Sequence, residues 1–346
     1  MDFANSLTKW YLQNKRDLPW RNTKDPYLIW LSEIMLQQTR VAQGTPYFYA
    51  FTNAFPTVFD LANASEQEVL KLWQGLGYYS RARNLHKTAQ YIANDLNGVF
   101  PASYKDLLKL KGVGEYTAAA IASFSFDEII PVVDGNVFRV LSRYFDIESD
   151  ILSNGAKKEF FSLASELILQ DNPALFNQAI MEFGALQCVP KNPNCDDCPL
   201  NLGCLALQKR KVQLLPVKSK KLKIRDRYFN YVVFLDIEGS TIIHKRSQKG
   251  IWHNLYEFPL IESTKNLEFA DFQQELVNRE FVSNELVSIE ECNSKSQLHK
   301  LTHQHLYIKF WRVNLSGRIT DGINYETLLT FPFPIVLYNF IEKDWF

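Results

Sequence analysis

The sequence has no run of eighteen apolar residues, so no membrane-spanning helix is expected. Lys9, Lys15, Arg16 and Asp17 break up the first twenty-one residues, and without an uninterrupted apolar segment there a secretory leader is not expected either. Cysteine is scarce: five in 346 residues, four of them crowded into one stretch. That is not the spread-out, even-numbered pattern of a secreted disulfide framework, and a reducing cytoplasm fits better. There is no internal repeat, no low-complexity tract and no excess charge of either sign, with 38 Lys+Arg against 38 Asp+Glu. The last absence would argue against a nucleic-acid partner if the charge were evenly distributed.

It is not evenly distributed. Residues 1–225 hold 26 basic and 22 acidic side chains, a net of +4, and residues 226–346 hold 12 and 16, a net of −4. Between Lys209 and Arg225 lie eight basic residues and no acidic one. That stretch reads as a solvated linker, or as a linker that also lies along phosphate. With 46% apolar and 14% aromatic content the chain can bury more than one core, and its length suggests two or three domains.

From Leu7 to about Ile180 apolar residues recur at three- and four-residue spacings, and helix starts are marked by Asp25-Pro26 and by Ser65 with Glu68 three residues on. This part is expected to be all α. The texture then changes: residues 228–237 are aromatic and β-branched, Glu238-Gly239 offers a turn and Thr241 to His244 follows, which predicts a β-hairpin. A strand over Leu306–Val313 and a helix over Phe269–Asn278 complete an expected α+β half.

Three segments bear on chemistry. Cys188, Cys195, Cys198 and Cys204, spaced C-x6-C-x2-C-x5-C, are expected to ligate one soft inorganic centre, either zinc or an iron-sulfur cube. Residues 107–120 read as helix, Gly112-Val113-Gly114 turn, helix; glycines let the turn press its backbone on another surface, and the free N–H groups of the next helix suit a phosphate. Glu33 lies in the apolar segment 28–40; a Glu on a helix is ordinarily a solvated surface group, but in an apolar pocket its pKa would be raised and it could act as an acid near neutral pH. Asp134, ahead of the helix from Phe138 to Tyr144, reads first as an N-cap, a role that can coexist with catalysis.

The order of Ser32-Glu33-Ile34-Met35-Leu36-Gln37-Gln38-Thr39, then the residues 75–84, the hairpin at 110–117, Val133-Asp134-Gly135-Asn136-Val137 and the four cysteines resembles the endonuclease III superfamily of DNA glycosylases. Over its full length the chain is similar to the MutY-type adenine glycosylases within it. The resemblance implies a 4Fe-4S cluster on the cysteines in preference to zinc, and excision of adenine opposite 8-oxoguanine or guanine in double-stranded DNA. It places Glu33 as the acid that protonates the departing base, Asp134 as the carboxylate facing the cationic sugar, and Tyr116 and Asn136 in support. Bifunctional relatives carry a Lys at position 116; a phenol cannot form the Schiff base that leads to strand cleavage, so a monofunctional enzyme is expected. Trp20, Arg21, Leu36, Val41 and Gln178 fall at adenine-pocket positions, and Gln38 and Tyr78 at positions that enter the duplex once the base leaves the stack.

The C-terminal half resembles a Nudix-like module through residues 250–259, but no R-E-x-x-E-E-x-G box is present, so recognition of the oxidised guanine is implied and hydrolysis of a nucleotide is not. Thr302 and His303 match the last two positions of the family's lesion-reading F-S-H triplet, with Leu301 in place of the Phe. The expected domains are a helical glycosylase domain over 1–208 that includes the cluster loop, a basic linker over 209–226 and a Nudix-like domain over 227–346. A monomer acting on nucleoid DNA in the cytoplasm is expected. The competing readings are a bifunctional glycosylase/lyase and a non-catalytic DNA-binding protein, and retention of both Glu33 and Asp134 argues against the second.

Overall fold

The computed structural model describes residues 3–219, 224–279 and 286–344. In chain order the elements are α1 (Phe3–Asn14), α2 (Pro26–Leu36), α3 (Val41–Ala54), α4 (Val58–Asn63), α5 (Glu66–Leu72), α6 (Ser80–Asp95), α7 (Tyr104–Leu107), α8 (Glu115–Phe126), α9 (Gly135–Phe145), α10 (Asn154–Leu167), α11 (Pro173–Leu186) and α12 (Leu205–Gln208). There follow β1 (Arg225–Leu235), β2 (His244–Lys245), β3 (Tyr256–Glu257), β4 (Leu260–Ser263), α13 (Phe269–Asn278), β5 (Leu286–Glu291), β6 (Gln297–Lys300), β7 (Gln304–Leu315), α14 (Tyr325–Leu328) and α15 (Ile335–Asp344). Among the described residues no helix is long and apolar enough to cross a membrane.

Two compact units result: Met1–Asn63 with Asn84–Lys220, and Ala64–Arg83 with Lys221–Phe346. The segment 64–83, which sequence patterning alone places in the helical domain, packs instead with the C-terminal residues. Tyr79 and Lys71 donate to the backbone carbonyls of Phe333 and Phe331, Arg83 to that of His253, and Gln74 accepts from the Phe333 N–H.

The first unit is all α. The helix start marked in the sequence at Asp25-Pro26 forms, with Asp25 accepting from the Tyr27 N–H, and the structure adds Ser153 and Asn172 as side-chain caps of α10 and α11. A core of Leu7, Tyr11, Val140, Leu141, Phe160, Phe176 and Phe183 joins α1, α9, α10 and α11. Each such fully buried side chain stabilises the fold by about 1.5–3 kcal/mol. The basic stretch after α12 is not wholly a free linker. The Leu215 side chain is buried, the Ile151 N–H donates to the Val217 carbonyl, and Lys209 and Lys211 both pair with Asp146. Those two lysines are therefore neutralised by the protein; residues 220–223 of the same stretch lie outside the described residues.

The second unit is α+β, as the sequence predicts, with a sheet in the order β4-β1-β7-β5 and β6 also paired to β7. β1 and β7 run parallel from Arg225–Gln304 to Leu235–Asn314. The helix over Phe269–Asn278 and the strand expected at Leu306–Val313 both form. The hairpin expected between residues 228–237 and 241–244 does not. Both edges of β1 are occupied by β4 and β7, and the Asp236 carboxylate accepts from the N–H groups of Glu238, Ser240 and Ile319, turning the chain out of the sheet. Thr241 then bridges to Ile323, and His244–Lys245 pair with Tyr256–Glu257. On one face of the sheet Phe272 of α13 stacks on Trp311, ring centroids 4.2 Å apart; Phe310 and Phe340 stack at 3.9 Å.

Candidate active site

α2 is apolar on almost every side, so Glu33 carries its carboxylate into closely packed surroundings. Glu33 is 7% exposed, with Trp30, Leu31, Ile34 and Met35 buried beside it. Burial raises its pKa to about 7; the Tyr116 hydroxyl and, more weakly, Arg21 favour the charged form, while the nearby Asp134 carboxylate opposes it. The side chain thus sits at the midpoint of its titration near neutral pH.

Asp134 is the N-cap of α9. Its Oδ1 accepts from the N–H groups of Asn136 and Val137, both at 2.8 Å, and its Oδ2 accepts from Asn136 Nδ2 at 2.7 Å. Burial raises its pKa, and these three donors pull the other way. The cap and the buried acid are one and the same group. Asn136 is held in turn: its Oδ1 accepts from Arg139, whose guanidinium also donates to the carbonyls of Gly184 and Cys188. Gly184 of α11 lies so close that a Cβ there would meet Asn136 Cβ at 2.6 Å and its carbonyl oxygen at 3.0 Å.

Glu33, Tyr116 and Asp134 open on one cleft, together with Leu36, Gln37, Gln38 and Gly114. Gln37 ties the end of α2 to α8 through Thr117. The Tyr116 phenol, driven well above its usual pKa by burial and by the two carboxylates, donates to Met181 Sδ at 3.7 Å. The hairpin turn forms one rim: Gly112 has φ +80° and packs on Asn84, Val113 is buried, and Gly114 starts α8 without a side-chain cap, leaving the first N–H groups open.

Of the residues placed in an adenine pocket by resemblance, Leu36 lines this cleft, while Val41 begins α3 half-buried and Trp20 is buried edge-on to Phe48 at 5.2 Å. Gln178 accepts from the Tyr11 hydroxyl at 2.7 Å. Arg21 donates to Glu182 at 2.7 Å, and Glu182 also takes two side-chain bonds from Arg16. Burial would raise the Glu182 pKa, but these hydrogen bonds hold it down to about 2. Sequence reasoning passed over Glu182 and Arg139. The signals available were an acid in the apolar α11 pattern and an arginine one turn after the Asp134 cap, both weak without knowledge of what they face. Gln38 and Tyr78 are exposed, with positive φ of 57° and 48°, an uncommon backbone state for residues with a Cβ. Thr302 and His303 are exposed in the β6–β7 connection, and the Thr302 hydroxyl lies 2.5 Å from that of Tyr78.

Cys188, Cys195, Cys198 and Cys204 line one cavity in the first unit. Arg143 knits it together: its guanidinium donates to Cys188 Sγ and to the carbonyls of Val189, Pro190 and Leu215, while its own carbonyl accepts from the Cys204 thiol.

Two family models match: the HhH-GPD superfamily base excision DNA repair proteins over residues 31–166 and the NUDIX domain over residues 230–343. The chain is 36% identical over 317 residues to the adenine DNA glycosylase of Buchnera aphidicola subsp. Schizaphis graminum, an alignment that covers 91% of this chain and 88% of that one. The chain belongs to the adenine DNA glycosylase family. The human adenine DNA glycosylase is 44% identical over 216 residues, which cover 60% of this chain and 40% of the human one. Among solved structures, that of a thermostable thymine-DNA glycosylase superposes with a TM-score of 0.56 at 31% identity, covering 60% of this chain and 95% of the other. The protein is therefore a DNA glycosylase of base excision repair, with a helix-hairpin-helix domain and a Nudix-like domain, and its partner is DNA.

Proposed function

We propose that this adenine DNA glycosylase releases adenine paired with 8-oxoguanine or guanine in duplex DNA and leaves the abasic strand intact. The observation that carries the reading is the pair of buried carboxylates, Glu33 and Asp134, opening on one cleft with different environments. Glu33, with a pKa of about 7, is protonated often enough to give its proton to the base as the C1′–N9 bond breaks and the bonding electrons leave with adenine. The sugar is left cationic at C1′, and Asp134, whose charged form is favoured by three donated hydrogen bonds, stands against that charge. Water adds at C1′ and gives its proton to the Glu33 carboxylate, which restores the acid. Asn136 holds Asp134, and Tyr116 lies against both acids where an amine would allow imine formation and strand scission.

Gln38 and Tyr78, each exposed on left-handed backbone, are assigned by the family resemblance to entry into the duplex; Leu36, which lines the cleft, is assigned with Arg21, Gln178, Trp20 and Val41 to the adenine pocket on the same resemblance. Thr302 and His303 are the lesion-reading pair. The domain assignment follows the sequence expectation, a glycosylase domain over 1–208 and a Nudix-like domain over 227–346, with residues 64–83 added to the packing of the second. The protein acts as a monomer on nucleoid DNA.

The four cysteines fit a 4Fe-4S cluster. Burial raises the thiols of Cys195, Cys198 and Cys204, that of Cys198 to about 11, and the neighbouring cysteines add to the rise, so a cationic centre is needed to ionise them together. The four thiols line one cavity of the first unit, and the family resemblance favours a 4Fe-4S cluster there over zinc. Such a cluster supplies a rigid crosslink for the loop after α11.

The test is incubation with duplexes carrying adenine opposite 8-oxoguanine, guanine, thymine or cytosine, half of each then treated with alkali. Release confined to the first two, with strand breaks only after alkali, is expected. Prompt nicking, or equal release from all four, would overturn the reading.

A further inference from the structure

Helix α10 has three faces. Ala156, Phe160 and Ala164 are buried in the core of the first unit, and Glu159 and Glu166 point to solvent. The third face, Asn154, Lys157, Lys158, Phe161, Ser162 and Ser165, recurs at intervals of three and four residues and lines the same cleft as Glu33 and Asp134. No core packing accounts for it: Lys157, Lys158, Phe161 and Ser162 are exposed, and neither lysine pairs with an acid among the described residues. Nor is it an ordinary solvated face, since it combines two cations, an aromatic ring left 36% exposed, two hydroxyls and an amide with no carboxylate, while both acids of the helix lie elsewhere. The acids on the cleft, Glu33, Asp134 and Glu115, belong to α2, the cap of α9 and α8.

We propose that this face of α10 binds the DNA strand that bears the target nucleotide, with Lys157 and Lys158 on backbone phosphates and Phe161 against a sugar or base. Charge complementarity and continuity with the catalytic cleft select a polyanion with flat, stackable groups over any apolar partner. With the N–H groups after Gly114 on one rim and α10 on the other, the strand is held on both sides of the extruded nucleoside. The inference rests on the glycosylase reading above.

The test uses the full-length protein and a product duplex, an abasic site opposite 8-oxoguanine, with affinity measured across a salt series. For K157A/K158A the slope of log affinity against log salt is expected to become shallower by about 1.8, about 0.9 for each phosphate that is no longer neutralised. F161A is expected to weaken binding by about fivefold or more with the slope unchanged, and K157R/K158R to restore the slope. Replacing single phosphates beside the abasic site by neutral methylphosphonates should weaken the wild-type protein at positions where K157A/K158A is indifferent. Unchanged melting temperatures show that the variants fold, as exposed positions allow. Identical salt slopes and identical methylphosphonate profiles for wild type and K157A/K158A would overturn the proposal. Adenine release by the same wild-type preparation is scored separately, so a failure of the glycosylase reading shows there and a failure of the α10 face shows in the slopes.

Discussion

The hydroxyl of Tyr78 lies 2.5 Å from that of Thr302, two residues 224 positions apart in the chain. Tyr78 belongs to the Gly75-Leu76-Gly77-Tyr78 turn and Thr302 to the β6–β7 connection, and both lie in the second compact unit. The residue assigned to filling the duplex and the one assigned to reading the opposite base are thus a single hydrogen-bonded pair. An exposed neutral hydrogen bond contributes about 0.5–1.5 kcal/mol, or roughly two- to thirteenfold. Y78F and T302V should each lower the preference for 8-oxoguanine over guanine by about that factor, and the double variant should lose little more than either alone. Fully additive losses in competition binding would show that the two act independently.

Glu33 links activity to stability with opposite signs. Its folded pKa of about 7 lies above the value of about 4.5 for an unfolded Glu, so the folded state binds more protons between those pH values and stability falls as pH rises through that window. At pH 8 the buried charge costs about 3 kcal/mol. E33Q should therefore melt higher than wild type above pH 7, lose that advantage below pH 5, and release adenine at a rate at least a thousandfold lower, a loss of roughly 4 kcal/mol in transition-state stabilisation. Wild-type single-turnover rates should decline as pH rises past 7. A flat profile to pH 9 would remove Glu33 from the role of acid.

Gly184 holds open the space occupied by Asn136. An Ala Cβ would meet Asn136 Cβ at 2.6 Å and its backbone carbonyl, which cannot rotate away, at 3.0 Å. G184A should destabilise the first unit by about 1–3 kcal/mol and, by shifting the start of α9, displace Asp134. Calorimetry should show the lower melting temperature, and adenine release should fall more than DNA binding does.

Arg143 is buried and bonded to Cys188 Sγ, to the carbonyls of Val189 and Pro190 and to that of Leu215, so its removal leaves several acceptors without donors. With the proposed 4Fe-4S cluster on these cysteines, R143A should reduce the iron and acid-labile sulfide recovered per chain, visible as a paler brown preparation. Deleting the buried guanidinium should cost about 3 kcal/mol or more. Full cluster content in R143A would show that the loop orders without it.

Local order was legible wherever it depends on neighbours in sequence. The Asp25-Pro26 start of α2, the Ser65–Glu68 capping box and α13 over Phe269–Asn278 form as the residues indicate, because caps and periodic apolar faces act within one or two turns. The failed hairpin after β1 shows the limit. Turn chemistry at Glu238-Gly239 is real, but whether the next strand folds back depends on β4 and β7 already holding both edges of β1. Glu182 escaped notice for a similar reason, since nothing near it in sequence announces Arg16 or Arg21 across the fold.

By itself the sequence determined the order of an α part followed by an α+β part, the helix starts at Asp25-Pro26 and Ser65, the glycine turn before α8 and the grouping of the four cysteines, since each is written in short-range pattern or side-chain chemistry. Only the tertiary structure decided that Glu33 titrates near neutrality, that Asp134 is cap and buried acid at once, that Tyr78 meets Thr302, and that α10 turns its lysines toward the cleft. Those properties depend on desolvation and on distances between residues tens or hundreds of positions apart, and both are set by packing.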